Sequence, residues 1–444
     1  MPQALLSSPP PASLPHQNSA RQRSGAKNRS DQNRAGQDAF ELLCACSCAN
    51  PGPEHLARIS QLIAAASDWD DLLPLAEYHG VLPLVARNLT DHADALPPHI
   101  AHALRSAYAA NLRRNLWFAA ELQRILRHFA QTNVRSLPYK GPVLAQSAYG
   151  DLALRAFSDL DLLISPNDFT RAKQSLAELG YRPSKPFTPA VERLWLRTGY
   201  ERSFDGPAGK NLVELQWSLL PRFYAVDARA ADFAFDDLLA RSGRIALGSP
   251  GTRAPRAHSV PPDSAPVDPA RSYFEPHIPC LSPEDSLLVL CLHAAKHLWT
   301  RLIWVADIAE SLRTPNLDVS QVITRARALG ISRILGVSFW LAKNLLGARL
   351  PEVAREFLAS DPAIVPLGQA CAARLKRAAT YDFESAEYFR QVLSLRERRS
   401  DRWRYLWRLA STPGPGDIDA VALPEAIFPL YRAVRIGRLL RKLA

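Results

Sequence analysis

The chain has 444 residues, 47% hydrophobic and 22% charged, which is enough for a large buried core and more than one subdomain and excludes a small stapled module. Its formal net charge of +11 suits a pocket for polyanions such as nucleotide phosphates, and no apolar stretch approaches the roughly 20 residues of a membrane span. Six cysteines are too few for a disulfide framework, and the run Cys44, Cys46, Cys48 lacks zinc-site spacing, so packing cysteines in a reducing, cytoplasmic compartment are expected.

Residues 1–37 are rich in Pro, Ser, Gln, Asn and Arg and are expected to form a disordered tail, because they carry too little apolar surface to offset ordering. The opening "MPQALLSSPPPASLP" also lacks the basic cluster of a signal peptide. Basic residues gather in this tail (Arg21, Arg23, Lys27, Arg29, Arg34) and again from Arg432 to the C-terminus. Solvated ends are expected, with contact to nucleic acid or anionic lipid as the alternative.

From 38 to 132 apolar residues recur at three- and four-residue intervals, which predicts a helical subdomain. Between 133 and 245 the period changes. "VRSLPY" reads as a strand, "GPVLAQSAYG" as a short helix and "SDLDLLIS" as a second strand. A helix follows, with Ser165 able to cap it, Pro166 in its first turn and Gly180 at its end. "GYERSFDG" and "NLVELQWSL" then read as a hairpin. Residues 246–278 are proline-rich and predict a loop insertion. From 279 to 444 the chain again reads as helical, opening on Ser282, Pro283, Glu284 and Asp285 as a capping sequence.

The chemistry concentrates in "RAFSDLDLL". On a strand, Asp159 and Asp161 project from one face while Leu160 and Leu162 fill the other. Two carboxylates so close repel each other, and a hard divalent cation such as Mg²⁺ relieves this while leaving positions open for phosphate oxygens. A plain strand end, with acids paired to Arg155 or meeting water, is the alternative. Upstream, Lys140 and Gly141 open a helix; downstream, Glu214 sits on a strand among Leu212, Val213, Leu215 and Trp217.

"YKGPVLAQSAYGD", "LRAFSDLDLLISPNDFTRAKQSLAELGY" and "LVELQWSLL" together resemble the nucleotidyltransferase superfamily with a polymerase-beta-like palm, and within it the bacterial family described as uncharacterised nucleotidyltransferases. "LSPEDSLLVLCLHAAKHLWTRLIWVADIAESLR" and "DRWRYLWRLA" extend the resemblance over roughly residues 40–440. It implies metal-dependent transfer of a nucleoside monophosphate from an NTP, with Asp159, Asp161 and Glu214 holding Mg²⁺ (or Mn²⁺) and performing catalysis. The chain departs from the wider superfamily at Lys140-Gly141, where Gly-Ser or Gly-Gly is usual, and at Gln216, where the closer family often carries histidine.

Lys140, Gly141 and Arg155 are the expected nucleotide contacts; Arg155 either clamps a phosphate or neutralises the carboxylates. His293 and His297 share a helix face with Arg301 one turn on, but without the metalloprotease glutamate. Pairing with a buried acid such as Asp307 is expected there rather than zinc, and Gln216, His293, His297 and Arg301 are candidates for an acceptor cleft. The tryptophans, including Trp299, Trp304, Trp340, Trp403 and Trp407, are expected in the core. The amphipathic segment "PLYRAVRIGRLLRKLA" is expected to pack its apolar face on its own domain, with an anionic membrane as the alternative.

The expected fold is α+β, a minimal mixed-sheet nucleotidyltransferase core flanked by N- and C-terminal helical subdomains. The expected acceptor is a small molecule rather than RNA or protein, because no ordered basic stripe with interleaved aromatics stands out. The other readings are a non-catalytic nucleotide- or partner-binding protein on the same fold, and an RNA-modifying nucleotidyltransferase. The preferred NTP and the oligomeric state are not legible.

Overall fold

A computed structural model describes residues 29–65, 69–224, 226, 233–248, 277–378 and 385–443. The chain opens with α1 (Arg29–Cys46), α2 (Pro53–Ala65), α3 (Leu72–Tyr78), α4 (Leu82–Leu89) and the long α5 (Pro98–Gln131). α1 begins at Arg29, inside the segment expected to be disordered. Its later residues, from Ala39 to Cys46, bury Phe40, Leu42 and Leu43, and a helix anchored by that apolar stretch propagates backwards at little cost. Residues 1–28 lie outside the described residues. Cys44, Cys46 and Cys48 are buried, and burial raises all three thiols, Cys48 to about 11, as inert packing residues require.

The mixed core follows: β1 (Ser136–Pro138), α6 (Gly141–Leu144), β2 (Leu160–Ile164), α7 (Phe169–Glu178), β3 (Arg182–Pro183), α8 (Pro189–Thr198), β4 (Glu201–Gly206) and β5 (Gly209–Gln216). A single π-type turn, Ala145–Tyr149, extends α6. The expected Ser165 side-chain cap is not made: a 3-10 turn, Pro166–Asp168, intervenes before α7. The sheet runs β1-β2-β5-β4-β3, with β2 and β5 parallel and the other neighbours antiparallel. One sheet face is apolar. Leu160, Leu162, Ile164, Val213, Leu215 and Phe204 pack with Phe118, Leu122 and Phe129 of α5 and with Phe169 and Leu176 of α7. The other face carries the polar residues and is closed at one end by Leu137, Tyr139 and Leu163 against neighbouring helices.

After α9 (Phe235–Ala240), β6 (Gly243–Ile245) pairs with β7 (Ile278–Cys280). This second, two-stranded sheet spans the ends of the proline-rich insertion: β6 closes the range expected to be the mixed core, and β7 runs from the last residue of the expected loop into the range expected to be helical. Each strand is three residues long, too short to show a period. Residues 249–276 lie outside the described residues.

The C-terminal part comprises α10 (Pro283–Lys296), α11 (Leu302–Ser311), α12 (Val319–Leu329), α13 (Ser332–Leu346), α14 (Glu352–Ala359), α15 (Ile364–Lys376), α16 (Ala386–Ser394), α17 (Arg399–Ser411), α18 (Pro415–Ala420) and α19 (Tyr431–Leu443). The α10 capping sequence forms as read, Ser282 Oγ accepting from the Asp285 N–H at 3.1 Å. The two helical parts are not separate layers. Leu42, Leu84 and Leu89 share one continuous core with Leu298, Val305 and Phe339, so the N-terminal helices and the C-terminal helices close around each other. Among the described residues no helix is long and apolar enough to cross a membrane.

Two expectations fail at the C-terminal end. Trp403 and Trp407 are 74% and 73% exposed rather than in the core. α19 turns Arg435 inward and leaves Ile436 and Leu440 outside, because Arg435 and Arg438 both engage the buried Asp417.

Candidate active site

Register puts the acids together. Asp161 on β2 lies opposite Glu214 on β5, and two residues further along, Gln216 lies opposite Glu201 on β4. Because side chains two apart share a face, Asp161, Glu214, Gln216 and Glu201 all stand on the polar side of the sheet. Asp159 sits at the mouth of β2, half-buried.

The loop carrying Asp159 is held from beneath. Asn111 and Asn115 of α5 are buried; Asn111 Nδ2 donates to the Ala153 carbonyl at 2.8 Å, and Asn115 Nδ2 to the carbonyls of Leu152 at 2.6 Å and Arg155 at 2.7 Å. From the other side comes the turn at Gly141, in the left-handed region at φ +53°, where an added Cβ would lie 3.3 Å from the Asp159 carbonyl oxygen. Only glycine meets both conditions, the backbone sign and the close approach.

Gln216 is the hub of the site. Its carbonyl oxygen accepts from the Tyr139 hydroxyl at 2.5 Å, and its amide nitrogen lies 3.0 Å from Asp161, 3.2 Å from Glu214 and 3.4 Å from Glu201. Two amide hydrogens therefore serve three carboxylates. Lys140 Nζ donates to Asp161 Oδ1 at 3.0 Å and lies over the Tyr139 ring. Lys296, from the last turn of α10, donates to the Tyr200 hydroxyl at 3.4 Å and lies over that ring.

Four carboxylates thus face two ammonium groups, and the imbalance is visible in their protonation. Burial, then Asp161 and Glu201, push the Glu214 carboxyl up to about 8. Burial and Asp161 push Asp159 up to about 6, against the pull of Lys140 and Arg155. Lys140 is raised, the attraction of Asp161, Asp159 and Glu214 outweighing its burial. Burial lowers Lys296 despite the acids.

Arg155 does not point at phosphate. It is buried in a two-pronged pair with Asp307 of α11, Nε to Oδ1 at 2.8 Å and Nη2 to Oδ2 at 2.9 Å, and Tyr149 donates to the same carboxylate at 2.7 Å. A planar guanidinium and a carboxylate presented edge-on take this arrangement whenever both are desolvated. Its charge still reaches Asp159, so Arg155 steadies the acids without touching them.

This also removes Asp307 as a partner for the histidines. His293 and His297 lie 4.8 Å apart between ring centroids, and His297 stacks on Trp304 at 4.9 Å. Burial first, then neighbouring cations including Lys140 and Lys296, drive both imidazoles well below their ordinary pKa, so both are neutral at pH 7. Leu298 and Trp299, immediately after His297, both have φ +50°. For two bulky residues that is strained backbone, held in place by their complete burial and by the Trp299 indole donating to Ser338 at 3.1 Å. Arg301 is exposed and lies over the Tyr78 ring.

Glu201, Tyr139, Tyr200 and Lys296 were not singled out in the sequence. Glu201 was accessible through the hairpin register opposite Gln216, and Lys296 stood inside "HAAKH"; the two tyrosines carry no local signal.

The donor set of Asp159, Asp161, Glu214 and Glu201 is all carboxylate oxygen, which is the chemistry a hard divalent cation takes. Their oxygens do not converge as they stand: among the described residues no three His, Cys, Asp or Glu side chains are arranged to hold a metal ion. Around Asp161 the positive partners are Lys140 Nζ and the Gln216 amide. The residues fit such a cation in charge and donor type, on condition that these two nitrogens give way.

A protein-family model described as uncharacterised nucleotidyltransferase matches residues 65–347, a span holding the whole sheet, the acid cluster and α10 to α13. No curated protein and no solved structure matches the chain. The chain belongs to the uncharacterised nucleotidyltransferase family.

Proposed function

We propose that this member of the nucleotidyltransferase family moves a nucleoside monophosphate from an NTP to an acceptor hydroxyl, with Mg²⁺ or Mn²⁺ held by Asp159, Asp161 and Glu214. The observation that carries the reading is the in-register pairing of Asp161 with Glu214 on adjacent parallel strands, with Asp159 at the strand mouth. Such a bound ion would neutralise triphosphate charge and lower the pKa of an acceptor hydroxyl.

The chain's own groups divide the remaining work. Lys140 and Lys296 bracket the acids and offer ammonium groups to phosphate oxygens. Gly141 lets the backbone of its turn come close to the Asp159 carbonyl. Gln216 and Glu201 orient the carboxylates, and Arg155 with Asp307 keeps the loop before β2 rigid. Neutral His293 and His297, stacked with Trp304, and Arg301 at the rim form the acceptor side. The acceptor itself is proposed to be a small molecule, and the compartment cytoplasmic.

A second reading is favoured by the nitrogens on Asp161: a protein that binds nucleotide or a partner on this fold and transfers nothing. Pyrophosphate release separates the two. With Mg²⁺, each of the four NTPs in turn and a metabolite extract with or without RNA, the wild type is expected to release pyrophosphate. Asp161→Asn is expected to lower the rate by at least about a hundredfold, the scale of a lost charge-stabilising group. Nucleotide binding without release under every condition would establish the second reading.

A further inference from the structure

The C-terminal helices present their residues in an order that packing alone does not explain. In α19, Arg435 is buried, with Nε donating to the Leu409 carbonyl of α17 at 3.0 Å, and Arg438 joins it on Asp417. On the same helix Leu440 is 61% exposed and Ile436 46% exposed. On α17, Trp403, Leu406 and Trp407 share one face at three- and four-residue intervals, and all three are exposed. Of the ten large hydrophobic side chains exposed among the described residues, eight fall between Trp403 and Leu440. Scattered exposed apolar residues need no explanation, but a concentration of this kind marks an interaction surface.

The charge around it is mostly positive. α17 carries Arg399 and Arg408 beside the tryptophans, its Arg404 being paired with the buried Asp401, and α19 ends on Arg441 and Lys442. The acids nearby are engaged: Asp417 by Arg435 and Arg438, Asp419 by Lys185, Glu425 by Arg193. Where the two helices approach α8, a groove of about 700 Å³ is lined by Arg197, Arg222, Trp407, Arg408, Arg432 and the Arg193-paired Glu425.

We propose that α17 and α19 form a docking surface for an anionic lipid bilayer, the tryptophans and the aliphatic residues of α19 entering the headgroup boundary while the flanking arginines meet lipid phosphates. Tryptophan with aliphatic residues on one side and arginine or lysine around them is the composition of a helix lying in a membrane interface. Single-stranded nucleic acid would use the tryptophans and arginines, but Leu406, Leu430, Ile436 and Leu440 would remain exposed and without partners on such a ligand. A second copy of the chain would bring the same basic patch against itself.

The test is flotation of the full-length protein with vesicles of phosphatidylcholine alone and of phosphatidylcholine with phosphatidylglycerol, at low and high salt. The wild type is expected to float with the mixed vesicles at low salt and to be released by high salt. Trp403→Ser with Leu440→Ser is expected to weaken that binding at least about tenfold with an unchanged melting temperature. Arg441→Gln with Lys442→Gln keeps every apolar contact and is expected to weaken it too. A wild type that stays with neither vesicle, or variants that float as the wild type does, overturns the proposal. So does a wild-type dimer that the Trp403 and Leu440 variant dissociates, or retention of poly(U) in place of vesicles.

Discussion

Glu214 carries a carboxyl far outside its ordinary range. Its carboxyl is raised to about 8 by burial and by Asp161 and Glu201, so the folded state binds a proton that the unfolded chain has lost above about 4.3. A raised acid contributes fully at low pH and loses stability progressively as pH climbs from its unfolded value through its folded one. The histidines act oppositely, but only below their unfolded value near 6.5, since His293 and His297 are neutral in the fold. Lys140, Lys296, Asp159 and Glu201 face the same carboxylate and are present in any Glu214 variant, so the comparison isolates one group. Between pH 7 and pH 8.5, urea unfolding without divalent metal is expected to show the wild type losing stability relative to Glu214→Gln as pH rises. Parallel curves for the two proteins would show that Glu214 is not held protonated by its neighbours.

At the level of elements, the site depends on α5 reaching under the loop before β2 and on the turn opening α6. Asn115 is fully buried and bonds two carbonyls, so Asn115→Ala strands both acceptors and is expected to cost about 1–3 kcal/mol. Gly141→Ala is expected to cost a further roughly 1–2 kcal/mol from its left-handed backbone alone, and both variants should lose nucleotide affinity along with stability. Chemical denaturation and nucleotide titration of each variant check this; an unchanged stability for Asn115→Ala would mean that water replaces the amide. What could be read beforehand follows the same division. Alternation along "SDLDLLIS" and "LVELQWSL" was enough to place Asp161 and Glu214 on strands, with Asp159 one residue before the first, because a period of two needs only local residues. Which of the two roles Arg155 takes was not legible, because its partner Asp307 is 152 residues away and only the packing of α11 brings it near. Glu201 and Lys296 were missed for the same reason, one needing the antiparallel register and the other the approach of α10 to the polar face. α19 looked like an ordinary amphipathic helix, since nothing in its own sequence says that Asp417 draws its arginines inward.

Taken as a whole molecule, the two helical parts share one core and the sheet is clamped between them, α5 on its apolar face and α10 on its polar face. An acid cluster held by such a frame cannot relax by moving apart, so the repulsion that Lys140 and Lys296 leave uncompensated persists until a further cation or a proton arrives. That makes the melting temperature of the full-length protein a direct reporter of the site. The decisive measurement is thermal melting of the wild type, Asp159→Asn, Asp161→Asn and Glu214→Gln, each with and without Mg²⁺ and NTP. The wild type is expected to gain several degrees from Mg²⁺-NTP, the scale of about 1–3 kcal/mol of ligand binding, and the two Asp variants to gain little. Without ligand Asp159→Asn is expected to melt no lower than wild type, and Asp161→Asn lower, because it breaks the buried pair with Lys140. Glu214→Gln is expected to keep more of the gain than either. A wild type that gains nothing, or Asp variants that gain as much as wild type, would contradict the assignment of these carboxylates to a metal-nucleotide site.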